Sequence, residues 1–221
     1  MFRGFLSIVI IVPVLLFANV SLSQTNSPAG TQSTTEADPA LRTYFAGNGL
    51  LNRGMFEAAI AEYRSFLAVN PKHKKAAIAR YGLVVSLFRL ERCDDALVEL
   101  ELLRDAKNFA YGAEIGMIEG QCQMTRNRFA QAAAIFESIV KRFGENELAD
   151  DAAAADCEAL YRAADYDNAA KQCQAVASRW PESPLLARSE FFKALVEMAR
   201  KDYSAASQFL AAYEKKFPKS E

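Results

Sequence analysis

Four cysteines (Cys93, Cys122, Cys157 and Cys173) and a single histidine, His73, carry the least ordinary chemistry in this 221-residue chain. The cysteines are 29, 35 and 16 residues apart and no CxxC occurs, which argues against a zinc ribbon or a low-pKa redox pair. Their even number points to disulfides in an oxidising compartment; the alternative is four buried thiols acting as small hydrophobes. One histidine excludes any site that needs two. His73 sits between Lys72 and Lys74, just after Pro71, and reads as a solvated loop residue. The acidic run Glu145, Glu147, Asp150 and Asp151 reads as the charged start of a helix, where carboxylates complement the dipole. Weak cation binding is the alternative. No glycine-rich phosphate loop, nucleophile elbow or glutamate–histidine zinc motif occurs. The expectation is therefore a protein with no catalytic residue, metal or cofactor.

Over the whole chain 26 Lys+Arg stand against 27 Asp+Glu, so no global basic field would hold nucleic acid. With 51% hydrophobic and 24% charged residues the chain has the balance of a globular protein. Arg3 is the only charge before Glu36. It precedes an apolar run from Phe5 to Phe17 and then small and polar residues, the order of a secretory signal peptide. Ser21 and Ser23 fit the small-residue positions of a cleavage site, which places the signal peptide at 1–23. The alternative is an uncleaved membrane anchor, since Phe5 to Leu22 approaches the ~20 residues that cross a bilayer. Residues 24–39 hold no aromatic or large aliphatic side chain and read as a flexible linker. The expected locale is periplasmic or secreted, with no membrane span in the mature chain.

The remainder repeats itself. Five segments share a large residue, a small residue three positions on, and another apolar residue four further on. They are Phe56-Ala59-Tyr63, Cys93-Ala96-Leu100, Phe129-Ala132-Phe136, Tyr166-Ala169-Cys173 and Tyr203-Ala206-Leu210, and their alanines are 37, 36, 37 and 37 residues apart. Twelve residues past each alanine stand Pro71, Asn108, Gly144, Pro181 and Pro218, most of them helix stops. Offsets of three and four define one helical face. The alanine marks a close crossing with a second helix upstream, which carries Gly47 and Gly120 at the matching place. Each unit is thus a helical hairpin, helix A then helix B, with repeats at about 40–73, 77–110, 113–146, 150–183 and 187–221.

This pattern resembles the tetratricopeptide repeat (TPR), a 34-residue helical hairpin. Its small, aromatic, small and proline positions fall on Gly47, Phe56, Ala59 and Pro71 in the first unit, and on Cys157, Tyr166, Ala169 and Pro181 in the fourth. Unit two departs most, with Val84, Cys93 and Asn108 at these places. The resemblance implies an all-α, right-handed superhelical solenoid of five hairpins spanning 40–221. Endings such as "RWPESP" and "KFPKS" look like those of periplasmic repeat proteins, the BamD-type and Tol-Pal-associated sets, and imply a role in cell-envelope assembly or maintenance. The lysines with which some members clamp a C-terminal carboxylate are replaced here by Tyr44 and Ile78.

A solenoid of this kind lines its inner face with helix A. Positions fifteen before each alanine read Tyr44, Tyr81, Met117, Ala154 and Phe191; those eight before read Leu51, Phe88, Met124, Tyr161 and Met198. Rigid aromatics and pliable methionines suit a groove for an extended or helical segment, with Asn48, Arg89 and Arg162 as polar neighbours. The same stripe, one step out of phase, would be interhelical core. Helix B positions one and eight after the alanine turn from apolar to Ser207 and Glu214 in the last unit, as a terminal repeat facing water requires. Arg104 breaks this pattern in unit two and implies a local register shift. Facing levels on paired helices predict bridges Cys93–Cys122 and Cys157–Cys173. The function expected is a non-enzymatic scaffold or adaptor for a protein or peptide ligand. A self-assembling structural protein is the alternative, and a solenoid-based cell-wall hydrolase a more distant one.

Overall fold

In the computed structural model, residues 38–39, 41–104 and 110–218 are described. The signal peptide, most of the linker and the stop expected at Asn108 lie outside them. The described residues form ten α-helices and no strand. They pair as α1 (Leu41–Asn52) with α2 (Phe56–Val69), α3 (Ala76–Arg89) with α4 (Cys93–Glu101), and α5 (Gly112–Thr125) with α6 (Phe129–Arg142). Then come α7 (Ala149–Arg162) with α8 (Tyr166–Arg179) and α9 (Leu186–Ala199) with α10 (Tyr203–Lys216). Each helix packs on its neighbours in sequence, so the chain is an all-helical TPR-like solenoid.

The hairpins turn by one repeated backbone device. Gly54, Glu91, Asn127, Ala164 and Lys201, each five residues before its unit's alanine, all have φ between 56° and 72°. At each turn two amides return to the end of helix A: Gly54 N–H to the Leu51 carbonyl and Met55 N–H to the Leu50 carbonyl, and likewise at the other four. These are the paired bonds of a Schellman cap. Only the first unit uses glycine; the other four absorb the cost of a left-handed L-residue in return for satisfied carbonyls and a fixed hairpin angle.

Close crossing explains the alanines. Ala59, Ala96, Ala132 and Ala169 have no exposed surface and Ala206 only 2%. On helix A the partner position is as demanding: a Cβ on Gly120 would run into the Phe136 ring, and one on Gly47 into Tyr63. Two cores result. One gathers Tyr63, Phe66, Leu83 and Leu87 with their neighbours, and the other is built around Phe136, Ile139 and Leu148. Unit two is irregular because α4 is nine residues long where its counterparts have fourteen. Arg104 lies beyond its end and pairs with Glu101 at 3.1 Å and Glu119 of α5 at 2.9 Å, so an ion pair replaces the apolar contact.

Cys157 and Cys173 are bridged, clamping α7 to α8 with an S–S distance of 2.08 Å. The second expected bridge is corrected. Cys93 and Cys122 meet at the predicted level, but both are buried thiols. They share a hydrogen bond that brings the Cys93 thiol down to about 7, against opposing burial, and pushes Cys122 up. His73 is corrected too. It is not a free loop residue: Nε2 lies 3.0 Å from Asp38, and Nδ1 accepts from the Lys75 amide at 3.0 Å. It ties the start of α1 to the link between the first two units.

Four outcomes are expected from this packing. Gly120→Ile overfills the α5–α6 contact and should cost about 2–3 kcal/mol. By contrast Gly49→Ala, whose Cβ meets nothing within 4 Å, should add roughly 0.5–1 kcal/mol of helix propensity; urea unfolding reads both. Thiol titration of the unfolded, unreduced protein should find two reactive cysteines per chain. Asp156 is 3% exposed and its Oδ1 has no hydrogen-bond partner. Burial, with Glu137 nearby, pushes its carboxyl up to about 7. Its folded pKa therefore lies above the unfolded value near 3.9, and the folded state prefers the protonated acid. Stability is lost as pH rises from about 4 to about 7. Asp156→Asn should therefore gain on the wild type over that window, and level off above it, in melting curves taken against pH.

Candidate functional site

The stripe expected to line a groove divides between core and surface. Tyr44, Tyr81 and Met117 are 4%, 6% and 7% exposed, and Ala154 is buried as well. This corrects their assignment to an open groove. The link into the following unit closes over the first two of these positions. Tyr81 is stacked on Tyr111, centroids 4.6 Å apart and planes 8° off parallel. Tyr44 is covered by Phe66 at 5.7 Å and by the Lys75 ammonium at 6.0 Å. Leu51 and Phe88 are half-buried against the first core and Met124 against the second. Their outer edges alone face the solvent.

The polar neighbours are also engaged. Asn48 Oδ1 accepts from the Tyr63 hydroxyl at 2.8 Å, and the Arg89 guanidinium lies over the Phe56 ring at 5.4 Å. The first ties the two helices of one hairpin, and the second ties hairpin to hairpin.

The last two units differ in what covers this position among the described residues. Phe191 and Met198, seven residues apart on one face of α9, are 41% and 45% exposed. Tyr161, half-buried, stands 5.5 Å from Phe192, which is 6.4 Å from Phe191. Tyr213 of α10 backs Phe191 at 6.0 Å. An apolar, aromatic shelf results, fixed from behind by packed rings.

Beside it lies a charge cluster that pattern reading did not find. Glu158 is 1% exposed, yet it holds Arg162 at 2.7 Å and also pairs with Arg188. Arg162 in turn lies 5.8 Å over the Phe129 ring. Two guanidiniums share that one buried carboxylate, with the Asp151 carboxyl near Arg188, and their partly exposed N–H groups can bond an incoming carbonyl or carboxylate. The available signal was a lone glutamate in the alanine-rich run of α7, four residues before Arg162. Its second partner, thirty residues on, has no mark in local sequence. Among the described residues no group of three or more His, Cys, Asp or Glu side chains is arranged to hold a metal ion. No helix there is long and apolar enough to cross a membrane.

Comparison with known proteins agrees with this geometry. No curated protein matches the sequence. Among solved structures, MamA from Desulfovibrio magneticus RS-1 superposes with a TM-score of 0.69 at 12% identity, covering 84% of this chain and 99% of that one. YrrB, described as a TPR protein with an unusual peptide-binding site, gives 0.69 at 19% identity, covering 81% and 87%. A tetratricopeptide repeat protein from Parabacteroides merdae gives 0.69 at 12% identity over 82% and 68%. At these identities the likeness is one of fold. The tetratricopeptide repeat family profile matches residues 46–110 and 157–221, more than half of the chain, and the chain belongs to the tetratricopeptide repeat family.

Proposed function

We propose that this chain is an exported, non-enzymatic scaffold that binds a segment of another protein along helix A of its last two units, in the assembly or maintenance of a cell envelope. The observation that carries the reading is the exposed Phe191–Met198 face beside the Glu158–Arg162–Arg188 cluster. Rings held from behind bury area on binding with little loss of side-chain freedom, and adjacent cations set the orientation of the ligand. The peptide-binding site named for YrrB supports a peptide-sized ligand. Export is supported by the signal-peptide order of residues 1–23 and by the Cys157–Cys173 bridge, since reducing compartments disfavour disulfides.

The test uses peptides selected from a displayed random library against the full chain. Phe191→Ser should lower the affinity of a selected peptide at least about tenfold, ~1.4 kcal/mol, with the circular dichroism and melting curve unchanged. Phe191→Leu should keep most of it. Unchanged affinity in Phe191→Ser would assign recognition to another face.

A further inference from the structure

At the interior junctions, helix B of one unit receives helix A of the next in one antiparallel register. Tyr63 of α2 lies against Gly82 of α3, nineteen residues on; Phe136 and Ala155, the same distance apart, share the second core. The Arg126–Asp94 pair at 3.3 Å and the Arg200–Asp167 pair at 3.1 Å occupy equivalent places at two junctions. Helix A enters with positions 17, 14 and 10 before its alanine. The last of these reads Ser86, Cys122, Ala159 and Val196, and none has exposed surface.

In the first unit the same stripe is Arg42, Phe45 and Gly49, and among the described residues it has no preceding helix to enter. Phe45 is 59% exposed and Arg42 is exposed. At the far end, α10 offers the surface that earlier B helices give to their successors. Tyr203 is 66% exposed, Glu214 is exposed, and a cleft of about 340 Å³ runs between Tyr203, Leu210 and Glu214.

Carrying the interior register across these two ends sets Phe45 on Leu210 and Arg42 beside Glu214. The volumes fit. A large Tyr63 meets glycine and a large Phe136 meets alanine; the smaller Leu210 leaves a cleft that a phenylalanine fills. The charges fit as well, one cation against one carboxylate. We infer that α1 of a second copy seats on α10 in the register of the interior junctions, so that copies join end to end. Such a contact uses two different faces and does not close on itself, so the product is a growing coil of copies rather than a dimer.

The full chain, followed by sedimentation velocity across a wide range of concentrations, should gain mass with concentration. Phe45→Glu and Ser207→Glu, each changing one exposed end (the equivalents of Ser207 at the interior junctions, such as Ile60 and Ala133, are buried), should lower association at least about tenfold. Mixed together they should form a dimer and nothing larger, because each retains the face that the other lacks. Arg42→Glu should weaken association about fivefold, and Glu214→Arg in the same chain should restore it. Phe191→Ser, which is off both ends, should leave association intact, separating this result from that of the peptide site. A monomer at every concentration, a mixture that stays monomeric, or association that survives both end variants overturns the inference. The last result would assign self-contact to another surface, such as the apolar stretch before residue 24.

Discussion

The closest approach of two helices, at one alanine per unit, is the constraint from which the remaining structure follows. Ala59, Ala96, Ala132, Ala169 and Ala206 are all within 2% of full burial, and no larger side chain would let the axes meet there. Close axes bring the rings beside them into contact, so Tyr63 and Phe136 are wholly buried against glycines of the opposing helices. The Schellman turns hold the hairpin at that spacing even where the left-handed residue is glutamate, alanine or lysine. Since each helix touches mainly its sequence neighbours, the core is a chain of junctions, and stability is close to a sum over them.

Unit four shows how this scheme bends where packing is thin. Helix α7 buries a long run of alanines, and an alanine removes little apolar area from water. The Cys157–Cys173 bridge lies across that hairpin and limits the freedom of the unfolded chain. The same small side chains leave room for Glu158 inside the structure. A buried carboxylate is costly unless paired, and Arg162 and Arg188 supply the pairing. Thin packing, covalent clamp and charged edge thus share one origin.

The asymmetry between the two halves is also a matter of neighbours. In the first two units the following link folds over the inner position, with Lys75 over Tyr44 and Tyr111 stacked on Tyr81. In the fifth unit no such cover lies over Phe191 among the described residues, and it keeps an open edge above its packed rings. The shelf is the repeat's inner position left uncovered among the described residues.

Composition and periodicity alone determined the fold class, the five alanine positions, the hairpin order and the level at which each cysteine pair meets, because these depend on spacing along a helix. Pairing level did not decide oxidation: one cysteine pair is bridged and the other shares a hydrogen bond. Nor did spacing separate groove from core, since Tyr44 and Phe191 occupy equivalent positions and differ in what covers them. That difference, the Glu158 cluster and the two exposed ends arise from contacts between residues far apart in the chain. Tertiary packing decided them, because burial depends on the neighbour that arrives and the repeat pattern is the same whether or not one does.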